Sequence, residues 1–169
     1  MAKQKITAQK KSLGIYVHIP FCRSKCVYCD FYSLPKSQKT VELMDRYVKA
    51  LQRHIREGGA RAPQYEVDTV YFGGGTPTSL SPAQMAAVLS ALHTHFRIAP
   101  DAEISVETSA TELTDAMLDS LVSGGVNRLS VGIQTFDDGA RRLLGRRGSG
   151  AAAAARVAAA MARGISNTS

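Results

Sequence analysis

Apolar residues recur with two different periods, which alternate from one segment of the chain to the next. Runs in which every second or nearly every residue is apolar predict strands, and runs with apolar residues at three- and four-residue steps predict helices. The strand-like segments are 13–19, 67–72, 103–107 and 128–133, and the helical segments are 36–57, 81–96, 114–122 and 151–162. This alternation predicts an α/β fold in which parallel strands are joined by right-handed helical crossovers.

Residues with strong positional preferences mark the helix boundaries. Ser81-Pro-Ala-Gln84 has the hydroxyl, the proline and the glutamine of a capping box, which predicts a helix start. The pairs Gly58-Gly59 and Gly124-Gly125 are expected to end the helices before them.

The C-terminal region combines an alanine-rich segment with the start of another strand. Alanine is the best helix former, so 151–162 predicts a packed helix with Val157 and Met161 on one face. A fifth strand begins within 164–169, where a parallel sheet would keep an unpaired edge and a barrel would stay open. We therefore expect the front part of a longer polypeptide.

The composition is that of one globular domain. The chain has 169 residues, of which 44% are hydrophobic and 21% charged. Residues 1–11 are polar and basic without an apolar run, which predicts a flexible tail and not a signal peptide. A net charge of +7 favours anionic partners, among which carboxylate-rich tetrapyrroles, phosphates and nucleic acid all qualify.

The three cysteines of the chain, Cys22, Cys26 and Cys29, directly follow the first predicted strand. An iron-sulfur cube normally takes four thiolates, so three of them leave one iron open to a non-protein ligand. A structural zinc site would need a fourth protein ligand such as His18, and a chance cluster of buried thiols is a further alternative. Disulfides are disfavoured by the odd number and by the absence of a secretory segment, which indicate a reducing cytosol. We favour the iron-sulfur cluster.

Polar residues and glycines follow the other predicted strands, at the end of the sheet where barrels collect their reactive groups. Gly73-Gly-Gly75 would let a ligand lie against the backbone, although a plain turn is the alternative. Glu107 suits an ammonium group or ribose hydroxyls, or is simply solvated, and Gln134 can donate and accept.

Four arginines, at 141, 142, 146 and 147, come after Gln134 within reach of a carboxylate or phosphate. Because charge runs are usually solvated, we expect one of the four to have a functional role.

Several motifs in family order carry a resemblance to known proteins. They are Cys22-x-x-x-Cys26-x-Tyr-Cys29, Tyr16-Val-His-Ile-Pro-Phe-Cys22, Tyr71-Phe-Gly-Gly-Gly-Thr-Pro77, Asn127-Arg-Leu-Ser-Val-Gly-Ile-Gln-Thr-Phe136 and Leu144-Gly-Arg146. The first resembles the signature of radical S-adenosylmethionine (SAM) proteins. Together they resemble the oxygen-independent coproporphyrinogen III oxidase group, including its heme-chaperone branch.

This resemblance implies the N-terminal portion of a partial (β/α)6 radical SAM barrel. Residues 12–169 would be a truncated core domain with about four of the six β/α units and no C-terminal domain. Cys22, Cys26 and Cys29 would hold a [4Fe-4S] cluster whose fourth iron binds SAM, and one electron from the cluster would split SAM to methionine and a 5′-deoxyadenosyl radical. Tyr16, Tyr28, Gly74 and Glu107 would contact that SAM, while Gly75, Thr76, Gln134 and Arg146 match positions that bind a second one in the oxidase. The resemblance assigns no catalytic residue.

Two features favour the heme-chaperone branch over the oxidase. The oxidase signature has a further cysteine two positions past the third, whereas here Cys29 is followed by Asp30-Phe31. In addition, only 21 residues precede Cys22, too few for the longer N-terminal segment of the oxidase. A chaperone would carry heme as cargo and need an electron donor and heme-accepting proteins. We expect a cytoplasmic protein without a nucleic-acid partner, and peripheral membrane association stays open.

Other functions remain as alternatives at this point. The positive charge is compatible with a tRNA-modifying radical enzyme, and a zinc-bound interaction module is the non-redox reading. Because the later part of the barrel is missing, we expect the isolated chain to keep its cluster ligands and to bind SAM weakly.

Overall fold

The computed structural model describes residues 11–35 and 37–169. Its strands are β1 (Lys11–Ile19), β2 (Phe21–Cys22), β3 (Leu34–Pro35), β4 (Tyr65–Gly74), β5 (Ile98–Thr108), β6 (Arg128–Val131) and β7 (Asn167–Thr168). Its helices are α1 (Gln38–Arg61), α2 (Pro82–His95), α3 (Asp115–Ser123), α4 (Asp138–Leu143) and α5 (Gly150–Ala162), with short 3-10 turns at Pro77–Ser79 and Ala110–Glu112. Of the predicted tail, residues 1–10 lie outside the described residues, and Lys11 begins β1.

The main sheet is entirely parallel and has the strand order β1-β4-β5-β6-β7. Helices connect its successive strands, so the predicted α/β alternation is confirmed. The expected fifth strand is present as β7, which pairs with β6. A separate two-stranded ladder, β2-β3, encloses the cysteine segment.

The two faces of the sheet differ in chemistry, as strand periodicity requires. One face packs against the helices in a single core. Its fully buried members include Ile19, Phe72, Val106, Leu129, Met85, Leu89 and Leu118. The other face is polar: Tyr16 pairs with Tyr71, Tyr71 with Ser105, and Ser105 with Arg128. A row of polar and aromatic side chains therefore crosses the sheet.

Helix α2 begins where its capping box predicts. The Ser81 hydroxyl accepts a hydrogen bond from the Gln84 amide at 3.2 Å, and the Gln84 side chain accepts one from the Ser81 amide at 2.8 Å. Gly124 ends α3, and Gly125 has the left-handed φ of +80°.

The prediction that Gly58-Gly59 ends α1 is wrong, because the helix continues to Arg61. A Cβ atom at Gly59 would lie 2.2 Å from the carbonyl oxygen of His95. The glycine therefore lets α1 and α2 approach each other at this point.

Two further expectations need correction. Strand β6 ends at Val131 instead of Ile133, because the chain turns sharply and Gln134 adopts a φ of +71°. In α5 the buried face is formed by Gly150, Ala153 and Ala160, and Met161 is exposed.

Ion pairs connect α5 and Arg163, the residue after it, to the first turn of α3. Arg156 and Arg163 both bind Asp115, at 2.9 and 3.0 Å.

A membrane-spanning helix needs about 20 consecutive apolar residues. The helices of the described residues include none of that length and hydrophobicity.

Candidate functional site

A cavity of about 380 Å³ opens where the loops after the parallel strands meet. Its walls come from the cysteine loop, the glycine-rich segment after β4, the end of β5 and the loops around α4. All predicted site residues except Tyr16 line it: Cys22, Cys26, Tyr28, Cys29, Gly74, Gly75, Thr76, Glu107, Gln134 and Arg146. The fold thus gathers into one pocket residues that are far apart in the sequence.

The cysteine loop is held by its own backbone and by a lysine. The Cys29 amide donates to the Cys26 carbonyl at 3.2 Å, and Lys25 donates to the Phe31 carbonyl at 2.6 Å. All three thiols are partly exposed. They are therefore accessible from the cavity.

The glycine-rich segment lies directly against the cysteine segment. The Gly75 amide donates to the Ile19 carbonyl at 2.9 Å, and the Thr76 amide donates to the Phe21 carbonyl at 2.7 Å. A Cβ atom at Gly75 would lie 2.6 Å from that Phe21 oxygen and 3.0 Å from Sγ of Cys22. The sequence suggested a ligand against this backbone. At Gly75 the space is needed by the protein itself.

Glu107 is positioned by an aromatic pair on the polar face of the sheet. The Tyr71 hydroxyl donates to Oε1 of Glu107 at 2.7 Å, and the rings of Tyr16 and Tyr71 stack with centroids 6.2 Å apart. Burial and the Glu107 carboxylate raise the pKa of Tyr71 to about 12, so this phenol remains a donor at neutral pH. Tyr16 is 59% exposed and does not line the pocket itself. Its predicted contact with SAM stays a prediction.

Tyr28 and Arg146 meet across the cavity. Nε and Nη2 of Arg146 donate to the Tyr28 hydroxyl at 3.0 and 2.6 Å. Burial raises the pKa of Tyr28, although the charge of Arg146 acts in the opposite direction. The cysteine loop is thereby joined to the loop after α4. Of the four neighbouring arginines, this one and Arg147 line the pocket.

Gln134 takes a backbone conformation that side chains rarely adopt. Its φ of +71° is the one positive value among the described non-glycine residues. Strain of this kind concentrates at functional sites and requires support from the surrounding structure. Here it directs the chain away from β6 and brings Gln134 to the pocket.

The backbone around Gln134 is supported by Arg141. From the sequence, this arginine was one of four in a charge run. Its side chain is buried, and it donates to the carbonyls of Ile133, Thr135, Arg147 and Gly148, all at 3.0 Å. One guanidinium therefore ties together both ends of the segment that carries Gln134, α4 and Arg146. No sequence signal separates Arg141 from its neighbours.

Further contacts fix the pocket walls. Arg23 of the cysteine loop pairs with Glu112 at 3.6 Å, and the buried hydroxyls of Thr78 and Thr108 lie 2.7 Å apart. Arg23 occupies a variable position of the cysteine signature, and the other three residues fall outside it. Only their positions beside strand ends could have drawn attention to them.

The donor chemistry of the pocket fits an iron-sulfur cluster. In the described part of the chain, no three His, Cys, Asp or Glu side chains converge on a single metal-ion position. A cube does not require this, because each thiolate binds a different iron. Three accessible thiols on one wall, with glycines and a threonine beside them, suit such a group.

Comparison with known proteins decides the family. The sequence matches the radical SAM superfamily over residues 16–169. The chain belongs to that superfamily. Membership implies a [4Fe-4S] cluster and SAM as the cofactors of this radical SAM chain.

Two curated relatives show which radical SAM proteins it resembles. An oxygen-independent coproporphyrinogen III oxidase of Salmonella typhimurium is 36% identical over 137 residues, which are 81% of this chain and 30% of the relative. The heme chaperone HemW of Mycobacterium tuberculosis is 34% identical over 154 residues, which are 91% of this chain and 40% of the relative. The chain therefore spans well under half the length of these relatives.

A solved structure confirms the predicted radical SAM fold. Coproporphyrinogen III oxidase (HemN) from Escherichia coli, a radical SAM enzyme, superposes with a TM-score of 0.85 at 32% identity. The match covers 95% of this chain and 36% of that one. The alternating parallel sheet is thus that of the radical SAM core.

Proposed function

We propose that this chain is a radical SAM heme chaperone, which holds a [4Fe-4S] cluster and SAM and transfers heme to acceptor proteins. The observation that carries the proposal is Phe31. By resemblance, the oxidase has a cysteine at this position, whereas here an aromatic side chain, 71% exposed, lines the pocket. An exposed ring beside a cavity favours contact with a flat, apolar macrocycle.

The charge on the pocket rim also supports a carboxylate-bearing ligand. Arg146 and Arg147 line the cavity, and Arg146 reaches Tyr28 of the cysteine loop. Guanidinium groups bind carboxylates with two parallel hydrogen bonds, which suits the propionates of heme.

Each cofactor has a set of residues that would hold it. Cys22, Cys26 and Cys29 would bind three irons, and Glu107 would accept hydrogen bonds from an amine or ribose hydroxyls, with Tyr71 fixing its carboxylate. A cluster held by these thiolates would supply one-electron reducing chemistry to bound SAM. Tyr28 closes the cavity beside the thiols through its contact with Arg146.

The proposed function requires an electron donor and heme-accepting proteins as partners and places the protein in the cytoplasm, without a nucleic-acid ligand.

Coproporphyrinogen III oxidation is the second candidate. Four residues favour it: Gly75, Thr76, Gln134 and Arg146. By resemblance they match positions that bind a second SAM in the oxidase, and all four line the pocket.

One pair of assays separates the two functions. The reconstituted full chain is titrated with heme under anaerobic conditions, and in parallel it receives coproporphyrinogen III, SAM and a reductant. We expect stoichiometric heme binding, weakened in Phe31→Ser, and no decarboxylation. Release of carbon dioxide from the porphyrinogen would overturn the assignment.

The cluster is tested on its own. Anaerobic reconstitution with iron and sulfide should give a brown, reducible protein with a low-temperature EPR signal, and Cys26→Ser should lower its iron content where Ser24→Ala does not. A colourless protein that binds one zinc ion would support the interaction module instead.

A further inference from the structure

A band of positive charge runs along the outer side of α1. Arg46, Lys49, Arg53 and Arg56 are separated by three, four and three residues, so they lie on one face of the helix. They are exposed, whereas Met44, Val48 and Ile55 of the same helix are buried in the core. At 1.5 Å per residue the band extends for about 15 Å.

The band forms one side of a trough between α1 and α2, with a volume of about 950 Å³. The floor is made of short side chains of α2, such as Ala91 and Thr94. No Asp or Glu is among the described residues that line it. The trough shares no residue with the pocket that holds the cysteines.

The four cations lack ion-pair partners within the described part of the chain. Its ion pairs use Arg23, Arg128, Arg156 and Arg163. Like charges at helical spacing repel each other, and this repulsion is relieved by a ligand of opposite charge. The trough therefore presents four cationic side chains in a row, none within ion-pair distance of a described carboxylate.

The shape and lining of the trough favour a protein segment as its ligand. A lipid surface is bound through apolar or aromatic side chains that insert into it, and single-stranded nucleic acid through stacking aromatics. The described lining offers small and polar side chains instead. A concave channel between two helices accommodates a helix or an extended strand, and arginine binds carboxylates in a two-pronged geometry.

We propose that the α1–α2 trough is a docking site for an acidic segment of a partner protein. Carboxylates spaced three or four residues apart on that segment would face Arg46, Lys49, Arg53 and Arg56. Because the trough and the cysteine pocket are separate, a partner can occupy it while the pocket is filled. Docking at this surface does not depend on the proposed heme function.

The test uses a labelled helical peptide of about 16 residues, long enough to follow the cationic band, with glutamates at three- and four-residue spacing. A peptide with lysines in their place is the control ligand. Binding to the full chain is followed by fluorescence anisotropy at about 50 and 150 mM salt, since screening weakens exposed charge pairs. Anionic phosphatidylglycerol vesicles and a single-stranded RNA are assayed in the same way.

We compare the double variant Lys49→Glu/Arg53→Glu with Arg97→Glu/Arg142→Glu, which changes the net charge equally at exposed sites outside the trough. Saturable binding of the acidic peptide should weaken at least about tenfold in the first variant and remain unchanged in the second. Circular dichroism verifies that both are folded. Absence of saturable binding, equal loss in both variants, or tighter binding of the vesicles or the RNA with the same variant dependence would overturn the proposal.

Discussion

The phenolic hydroxyl of Tyr71 donates a hydrogen bond of 2.7 Å to Oε1 of Glu107. The two residues lie on neighbouring strands, and the bond fixes a carboxylate at the edge of the pocket. Since Tyr71 is itself stacked on Tyr16, the position of Glu107 depends on two aromatic rings outside the pocket lining.

Replacing Tyr71 by phenylalanine should therefore lower the affinity for SAM while the fold survives. We expect a loss of about 0.5–1.5 kcal/mol in stability and a three- to tenfold weaker binding, the usual range for one hydrogen bond. Equilibrium dialysis with labelled SAM measures the affinity, and urea unfolding measures the stability. Tyr65→Phe, at the start of the same strand, is the matched control.

A double-mutant cycle with Glu107→Gln distinguishes positioning from a general structural role. If Tyr71 acts through Glu107, its substitution should have little effect on SAM affinity once Glu107 is changed. Full additivity of the two substitutions would contradict the positioning role.

The bond between Tyr71 and Glu107 should make the stability of the fold depend on pH. The folded pKa of Tyr71 is about 12, above the ordinary value of 10.0. Its contribution is therefore fully present below about pH 10 and is lost as the pH rises toward 12. Urea midpoints measured between these limits should fall more steeply for the natural chain than for Tyr71→Phe. Parallel curves would show that the bond contributes nothing.

Gly75→Ala should disturb the cysteine site although no cysteine is replaced. The added methyl group would lie 2.6 Å from the Phe21 oxygen, so the backbone must shift. Overpacking of this kind costs about 1–3 kcal/mol, and we expect a lower iron content after reconstitution. Gly139→Ala is the control, because it meets only the side chains of Asp137 and Arg142. Equal iron content in both variants would mean that this contact is dispensable.

Arg141→Met should destabilise the chain more than any change at its neighbour Arg142. Four carbonyl groups lose their donor, and each buried group left unsatisfied costs about 1–3 kcal/mol, less where water can enter. Arg142→Met, at an exposed position, is the control. Thermal unfolding followed by circular dichroism compares them, and identical melting temperatures would contradict the structural role of Arg141.

Asp115→Asn should remove a pH-dependent link between α3 and α5. Its hydrogen bond to Arg156, and the charges of Arg156 and Arg163, lower the pKa of Asp115. The ion pairs therefore stabilise the fold above the ordinary aspartate pKa of about 3.9, and this contribution disappears as the pH falls through the lower folded value. In urea unfolding, the variant and the natural chain should differ at neutral pH and converge in acid or in high salt. Asp101→Asn should show no such convergence.

Local patterns predicted the frame of the molecule well. The capping box at Ser81 and the glycines after α3 are decided by short-range interactions, so the sequence shows them directly. Gly58-Gly59 was wrongly predicted to end α1, because a glycine pair that ends a helix and one that lets two helices pack closely have the same sequence. Only the close approach of His95 distinguishes the two cases. Met161 was misjudged for a similar reason, since α5 packs through its small residues.

The signature residues of the pocket could be predicted from the sequence, but the residues that hold them in place could not. The cysteine spacing pointed to the cluster because ligand chemistry constrains residue type. Arg141 and Tyr71 act through contacts with residues brought near by the fold. Tyr71 belongs to one of the family motifs, but its bond to Glu107 is not visible in the sequence, and nothing local distinguishes Arg141. Their roles follow from tertiary structure alone.

The bond between Tyr28 and Arg146 joins positions 118 residues apart. On the ribosome, the thiols emerge long before the far wall of their cavity has been synthesised. Metal loading of a nascent chain would thus meet an unfinished cavity, and co-translational delivery of iron should be inefficient until the segment carrying the arginine has left the exit tunnel.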